Sequence, residues 1–207
     1  MISSATLYII SAPSGAGKTS LVRALDEQNS AIRISVSHTT RAIRPGEIDG
    51  VHYNFVDQAH FQKLIDRGDL LEYANVFGSY YGTSRHWVQE ALAYDLDVIL
   101  EIDWQGRDQV CALFSDAVSI FIVPPSREVL EQRLADRRQD DMQTIQKRMQ
   151  VVKAELSHYD SSDYLIINDQ FDHALYELQQ IVLARRLRTA AQVKKHRLLL
   201  GQLLSNT

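Results

Sequence analysis

A three-layer α/β fold built on a mainly parallel five-stranded sheet accounts for the pattern of apolar runs in this chain. Five runs rich in Ile, Val and Leu recur at about 6–11, 32–37, 97–103, 118–123 and 163–168. Stretches of helical periodicity separate them, and strands alternating with helices build parallel sheets covered on both faces. The alternation is interrupted twice. Residues 37–95 mix short strands with short helices and read as an insertion, and residues 126–158 are helical and strongly polar. The expected organisation is one unit of 207 residues: a core of 1–36, 96–125 and 159–207, an inserted mixed α/β subdomain over 37–95, and a helical lid over 126–158. Hydrophobic residues make up 45% of the chain, enough for such a core.

The first strand, Leu7-Tyr8-Ile9-Ile10, runs into Ala12-Pro13-Ser14-Gly15-Ala16-Gly17-Lys18-Thr19, and a helix opens at Ser20-Leu21-Val22. Strand, glycine loop and helix form the context of a phosphate-binding loop. Glycines at 15 and 17 let successive N–H groups turn inward as an anion nest, and the helix start adds a positive dipole end. Lys18 is placed to reach β- and γ-phosphates, and the Thr19 hydroxyl to ligate Mg²⁺. The pattern G-x-x-x-x-G-K-[ST] asks for glycine where this chain has Ala12, which is tolerable only if that position needs no positive φ. The competing reading is an ordinary strand-to-helix turn.

Arg33-Ile34-Ser35-Val36-Ser37 alternates as a strand. Pro45-Gly46 and Asp49-Gly50 mark turns around Arg41 and Arg44, which form either an anion site or a solvated loop. Val51–Val56 reads as a short strand. Asp57 is placed to cap a helix through Phe61, Leu64 and Ile65 that Gly68 ends. Leu70–Phe77 is apolar and aromatic with one acid inside, Glu72. Gly78-Ser79-Tyr80-Tyr81-Gly82-Thr83 reads as a turn, and Ser84 as the cap of a helix through Trp87, Val88, Ala91 and Leu92.

Asp97–Asp103 reads as a buried strand ending in acids, with Ile99, Glu101 and Asp103 on one side. Carboxylates at the carboxyl end of a core strand sit where open α/β sheets bind ligands. For Asp103 the alternative is a cap on the following helix, 104–113. Val118–Val123 is closed by Pro124-Pro125, and Ser126 caps a helix bearing Arg133, Arg137 and Arg138. Gln139-Asp140-Asp141 breaks it before a helix over 142–157 with Lys147 and Arg148. Guanidinium groups without apolar anchors suit a lid that closes on phosphates; i,i+4 surface pairing is the alternative. After the last strand, Asp163–Asn168, one long helical pattern runs to the C-terminus, basic from Arg185 to Arg197 with Leu198, Leu199, Leu200, Leu203 and Leu204 behind. It reads as the solvated face of a helix packed on itself or on a second subunit, a candidate homo-oligomer contact, in preference to an RNA- or lipid-binding surface.

Net charge is −4, from 22 basic and 26 acidic residues, which argues against broad nucleic-acid or membrane binding. A phosphate-handling protein of this charge must concentrate its cations locally. The one cysteine, Cys111, allows no intrachain disulfide, and neither a signal peptide nor a membrane span is legible, so a cytoplasmic location is expected.

A phosphate loop on the first strand implies a nucleoside triphosphate, and phosphoryl transfer then needs Mg²⁺, a lysine and further cations. The insertion suggests the acceptor. A carboxylate at Glu72 matches the adjacent N1–H and N2–H₂ donors of guanine, whereas adenine would leave it unpaired. Tyr53 and Tyr81 offer phenols to a phosphate, and Ser37 and Thr83 offer hydroxyls to a base or phosphate.

Ser35-Val36-Ser37-His38-Thr39-Thr40-Arg41, Arg44-Pro45-Gly46-Glu47, Gly50-x-x-Tyr53, Tyr80-Tyr81-Gly82-Thr83, Ile102-Asp103-Trp104-Gln105-Gly106 and Ile166-Ile167-Asn168-Asp169 together resemble the bacterial guanylate kinases over roughly residues 5–185. The resemblance implies a P-loop NTPase-type fold and Mg²⁺-dependent transfer from ATP to GMP, giving ADP and GDP, a step in guanine nucleotide synthesis and recycling. By resemblance, Arg41, Arg44, Tyr53 and Tyr81 hold the GMP phosphate, and Ser37, Glu72, Thr83 and Asp103 read the guanine, with Glu101 beside them. Residues 12–19 and Asn168 bind ATP, Thr19 and Asp103 serve Mg²⁺ partly through water, and Arg133, Arg137 and Arg148 close over the phosphates. The chain departs from the pattern at Ala12, at Glu101 where aspartate is expected, and at Arg138 where a glycine often follows the lid arginine. Two rivals remain: a related interaction module binding a phosphopeptide, which need keep neither Lys18 nor the lid arginines, and a related kinase with a different phosphorylated acceptor, against which Glu72, Ser37 and Thr83 argue.

Overall fold

The computed structural model describes residues 5–76, 78–136 and 152–205. The expectations for Arg137, Arg138, Lys147 and Arg148 lie outside these residues.

The core sheet has the order β2-β7-β1-β8-β9, all parallel. Its strands are β1 (Leu7–Ser11), β2 (Ile32–Ile34), β7 (Asp97–Glu101), β8 (Val118–Val123) and β9 (Tyr164–Ile167). β1 lies in the middle and is buried along its whole length. Its alternate residues feed two cores, as the pleat requires. Tyr8 and Ile10 pack with Leu21, Val22 and Leu25 of α1 (Lys18–Glu27) and Ala174, Leu175, Leu178 and Val182 of α6 (Phe171–Arg186). Leu7 and Ile9 pack with Val88 and Ala91 of α3 (Arg85–Ala93) and Val110 of α4 (Trp104–Leu113). These are the three expected layers.

Two strands are shorter than their apolar runs. β2 ends at Ile34; Ser35 still donates its N–H to the Ile99 carbonyl at 2.9 Å, after which the chain leaves for the insertion. β7 ends at Glu101. Asp103 is the N-cap of α4, its Oδ1 accepting the Gly106 N–H at 3.0 Å, so the helix-cap alternative describes its backbone role.

The insertion forms a second, mixed sheet of order β4-β3-β6-β5. It comprises β3 (His38–Thr39), β4 (Asn54–Phe55), β5 (Leu70–Val76) and β6 (Ser79–Ser84). Residues 79–84 are therefore a strand, not the expected turn, and β4 is shorter than Val51–Val56. Tyr80, Tyr81 and Thr83 are strand-forming residues, and Gly82 sits in mid-strand because a side chain there would meet the Phe61 ring and the Glu72 carbonyl. A register shift between Leu70 and Glu72 sets Glu72 directly opposite Thr83. Asp57 and Ser84 cap α2 (Gln58–Asp66) and α3 as expected, through the His60 and Trp87 N–H groups.

α5 (Arg127–Asp136) and a helical segment over 152–156 join Leu130, Leu134, Val152 and Leu156 in a small core beside the phosphate loop. Arg107 of α4 is the largest fully buried side chain; its guanidinium donates to the His158 carbonyl at 3.0 Å and to Ser162 Oγ at 3.3 Å. It ties the chain returning from that segment to the core. The expected single C-terminal helix is three: α6, α7 (Thr189–Lys195) and α8 (Arg197–Leu204), the last leaving Leu198, Leu203 and Leu204 exposed.

At the amino end of β7, buried Asp97 accepts the Thr6 N–H at 2.7 Å and Arg186 Nε at 2.8 Å. Asp97→Asn keeps the first bond and turns a donor toward the guanidinium. The expected loss is about 1.5–3 kcal/mol in urea unfolding, with the activity at saturating substrate unchanged because the site lies at the opposite end of the strand.

Candidate functional site

The phosphate-binding loop takes the geometry its glycines allow. Gly15 and Gly17 both have φ of 92°, and the Ala16 N–H closes a turn on the Pro13 carbonyl at 3.1 Å. Ala12 has no positive φ, so alanine is accommodated there. α1 starts at Lys18, and no acidic side chain competes in its first turn. Asn168, buried just past β9, donates to the Ala16 carbonyl at 2.7 Å, and a Cβ on Gly17 would run into its amide. Asn168 thus supports the loop from behind. Arg133 of α5 donates one guanidinium nitrogen to the Asn168 carbonyl at 3.1 Å; the other, Nη1, is buried with no partner among the described residues.

One cavity joins this loop to the insertion. Its walls include Ala12–Gly15 and Gly17–Thr19 on one side and Ser37, Arg44, Tyr53, Glu72 and Tyr81 on the other, with Glu101 and Asp103 between them. The carboxyl end of β7 and the inserted sheet therefore bring together most of the expected residues. Thr83 lies behind Glu72 and donates its hydroxyl to Oε1 at 2.6 Å. Arg41 is engaged by Glu47 through two bonds of 2.7 and 3.0 Å and lies over the Tyr53 and Phe55 rings. Glu47 also accepts the Arg44 N–H at 2.8 Å, so one carboxylate organises both arginines' loop. That pairing holds the Arg41 guanidinium above its ordinary range and the Glu47 carboxyl below its own.

Glu72 is 3% exposed. Burial pushes its carboxyl up to about 7, partly opposed by the Thr83 hydrogen bond. Glu155, which sequence reasoning missed, also lines the cavity. Its Oε2 accepts the Ser14 N–H at 3.4 Å, and burial raises its carboxyl as well. Only the return of the 152–156 segment over the loop brings it there; nothing in its own stretch of sequence marks it. Glu47 was visible only as a letter in a motif.

Two of the residues expected near a cation, Thr19 and Asp103, have protein partners. The Thr19 hydroxyl donates to Glu101 Oε2 at 2.8 Å, whereas both oxygens of Asp103 are engaged, by the Gly106 N–H and by Gln105 Nε2. Among the described residues no group of three or more His, Cys, Asp or Glu forms a metal cage. Hydroxyl and carboxylate oxygens in small number suit Mg²⁺, which takes one or two protein oxygens and completes its shell with water and phosphate. No described helix is long and apolar enough to cross a membrane.

A family model described as guanylate kinase matches residues 4–185. The chain belongs to the guanylate kinase family. A guanylate kinase of Chromohalobacter salexigens is 59% identical over 203 residues, 98% of this chain and 94% of that protein. One of Vibrio cholerae is 55% identical over 202 residues, 97% and 98% of the two chains. The crystal structure of guanylate kinase from Anaplasma phagocytophilum superposes with a TM-score of 0.77 at 30% identity, covering 100% of this chain and 99% of that one. The guanylate kinase match thus spans the loop, the inserted sheet and the helices after β8 alike.

Glu72 is expected to titrate near pH 7 in the free protein, read by NMR of a carboxyl-labelled sample. Thr83→Val removes a bond that favours the ionised form and moves the titration upward. A carboxyl raised in the folded state penalises folding once ionised. Stability from this group therefore falls as pH rises from the ordinary carboxylate range to about 7 and is level above it, a trend that Glu72→Gln abolishes.

Proposed function

We propose that the cavity works as a two-ended clamp, with the ATP phosphates on residues 12–19 and GMP in the inserted sheet. As a member of its family the chain is a kinase that phosphorylates GMP to GDP with ATP as donor. The observation that carries the assignment of ends is the cavity itself: an anion nest with Lys18 on one wall and a buried carboxylate, Glu72, on the other.

In this reading Glu72 accepts the two adjacent guanine donors, with Thr83 fixing its second oxygen and Ser37 alongside. Arg41, Arg44, Tyr53 and Tyr81 hold the GMP phosphate, Arg41 aimed by Glu47. Lys18 follows the transferred group, and the unpartnered Nη1 of Arg133 supports a role on the ATP phosphates, which Arg137 and Arg148 share by resemblance. Thr19 and Glu101 would hold Mg²⁺, with Asp103 contributing through water; the ion supplies charge neutralisation on the phosphates. The reading extends to dGMP, because no residue in it is assigned to the ribose 2′-hydroxyl. A free half-buried Cys111 supports a reducing, cytoplasmic setting, and the exposed leucines of α8 support self-association through the C-terminal helices, to be read by sedimentation.

Three substitutions test the clamp. Lys18→Ala is expected to lower kcat about 10²-fold or more with an unchanged circular dichroism spectrum. Glu72→Gln sets a donor against a guanine N–H and should cost GMP about 2–4 kcal/mol in kcat/KM while sparing AMP, collapsing the GMP/AMP ratio. Arg41→Met should depress both monophosphates by a similar factor. A ratio that responds to Arg41→Met and not to Glu72→Gln would overturn the roles assigned to these two residues and place base reading elsewhere. The ascending limb of kcat/KM for GMP near pH 7 should be missing in Glu72→Gln; GMP's own phosphate titration near 6 remains in both.

A further inference from the structure

The first turn of α4 passes against the Glu72 carboxylate at Gly106. A Cβ built there would lie 2.5 Å from Glu72 Oε2, 3.1 Å from its Cδ and 3.2 Å from Ile102 Cδ1. Real Cβ atoms do not approach an oxygen that closely. Neither side is free to retreat. Glu72 is buried with Oε1 held by Thr83 at 2.6 Å, and its strand register is set by the shift beside Leu70. The α4 turn is pinned by the Asp103 cap on the Gly106 N–H, by buried Arg107 and by Trp104, whose indole stacks on His158 with centroids 3.9 Å apart. Gly106 has no positive φ, and glycine is disfavoured against alanine inside a helix, so local conformation gives no reason for it.

We propose that Gly106 is a positioning residue for base specificity: its missing side chain leaves the space in which Glu72 Oε2 faces the purine's paired donors. This rests on Glu72 reading the base. Any side chain at 106 displaces that oxygen, while the phosphate subsite around Arg41 and Tyr53 lies on other elements and is untouched.

The test measures kcat/KM for GMP and AMP in Gly106→Ala, Glu72→Gln and the double variant. Gly106→Ala is expected to lower GMP about 10- to 100-fold and leave AMP within about threefold, the scale set by one methyl group in a tight pocket. The loss should fall mainly on KM. In the Glu72→Gln background the same substitution should take nothing further from the GMP/AMP ratio, because the reading oxygen is already compromised. If Glu72→Gln leaves the ratio intact, the base-reading assignment fails and takes this inference with it. If Glu72→Gln collapses the ratio while Gly106→Ala leaves it within twofold, or lowers both substrates alike, base reading stands and the Gly106 inference is overturned. Should Gly106→Ala fold poorly, Gly106→Ala/Glu72→Asp decides: the shorter acid vacates the contact, so melting recovers if Glu72 is what the methyl strikes. No recovery overturns the inference.

Discussion

A carboxylate held out of water is expensive unless something nearby compensates it, and the inserted sheet is arranged around that constraint at Glu72. The register shift in β5 places it opposite Thr83, whose hydroxyl satisfies one oxygen. Phe61 and Tyr80 stack on each other with ring centroids 5.3 Å apart. The other oxygen, Oε2, faces α4 at Gly106. Burial pushes this carboxyl up to about 7, so both its forms are populated at neutral pH, and in the proposed reading a ligand presenting two donors makes ionisation favourable. In that reading, selectivity for such a base follows from the cost of leaving the group unpaired.

The same logic applies, with the sign reversed, to the cations. In a chain of net charge −4, Arg41 is paired with Glu47 and laid on two aromatic rings. The bidentate pair fixes the orientation of the guanidinium. Glu155 accepts the Ser14 N–H of the phosphate loop in a single, longer bond of 3.4 Å. A carboxylate of the protein's own thus contacts a donor in each of the two loops.

What could be read along the chain was local. β1, the glycine loop and α1 follow one another directly, and the caps at Asp57 and Ser84 involve N–H groups three residues on. Residues 79–84 read as a turn because Gly78 precedes them and Gly82 lies among them; only the pairing of Tyr81 with Ala74 and of Thr83 with Glu72 reveals a strand. Asp103 looked like the last residue of a strand because Ile102 before it is apolar, yet its side chain turns to cap α4, and Glu101 takes the place beside Thr19. Glu155 and Gly106 owe their positions to contacts between distant segments, which no local pattern records.

The stack of Trp104 on His158, with planes 8° apart, has a use beyond rigidity. Trp104 opens α4 next to Asp103, and His158 lies where the chain returns from the 152–156 segment. An indole's emission is sensitive to an aromatic ring in face-to-face contact. The chain has one other tryptophan, Trp87, which α3 packs against the core. The molecule thus carries an intrinsic optical probe at the junction between its fixed sheet and the helices that follow β8, readable in real time with no label attached.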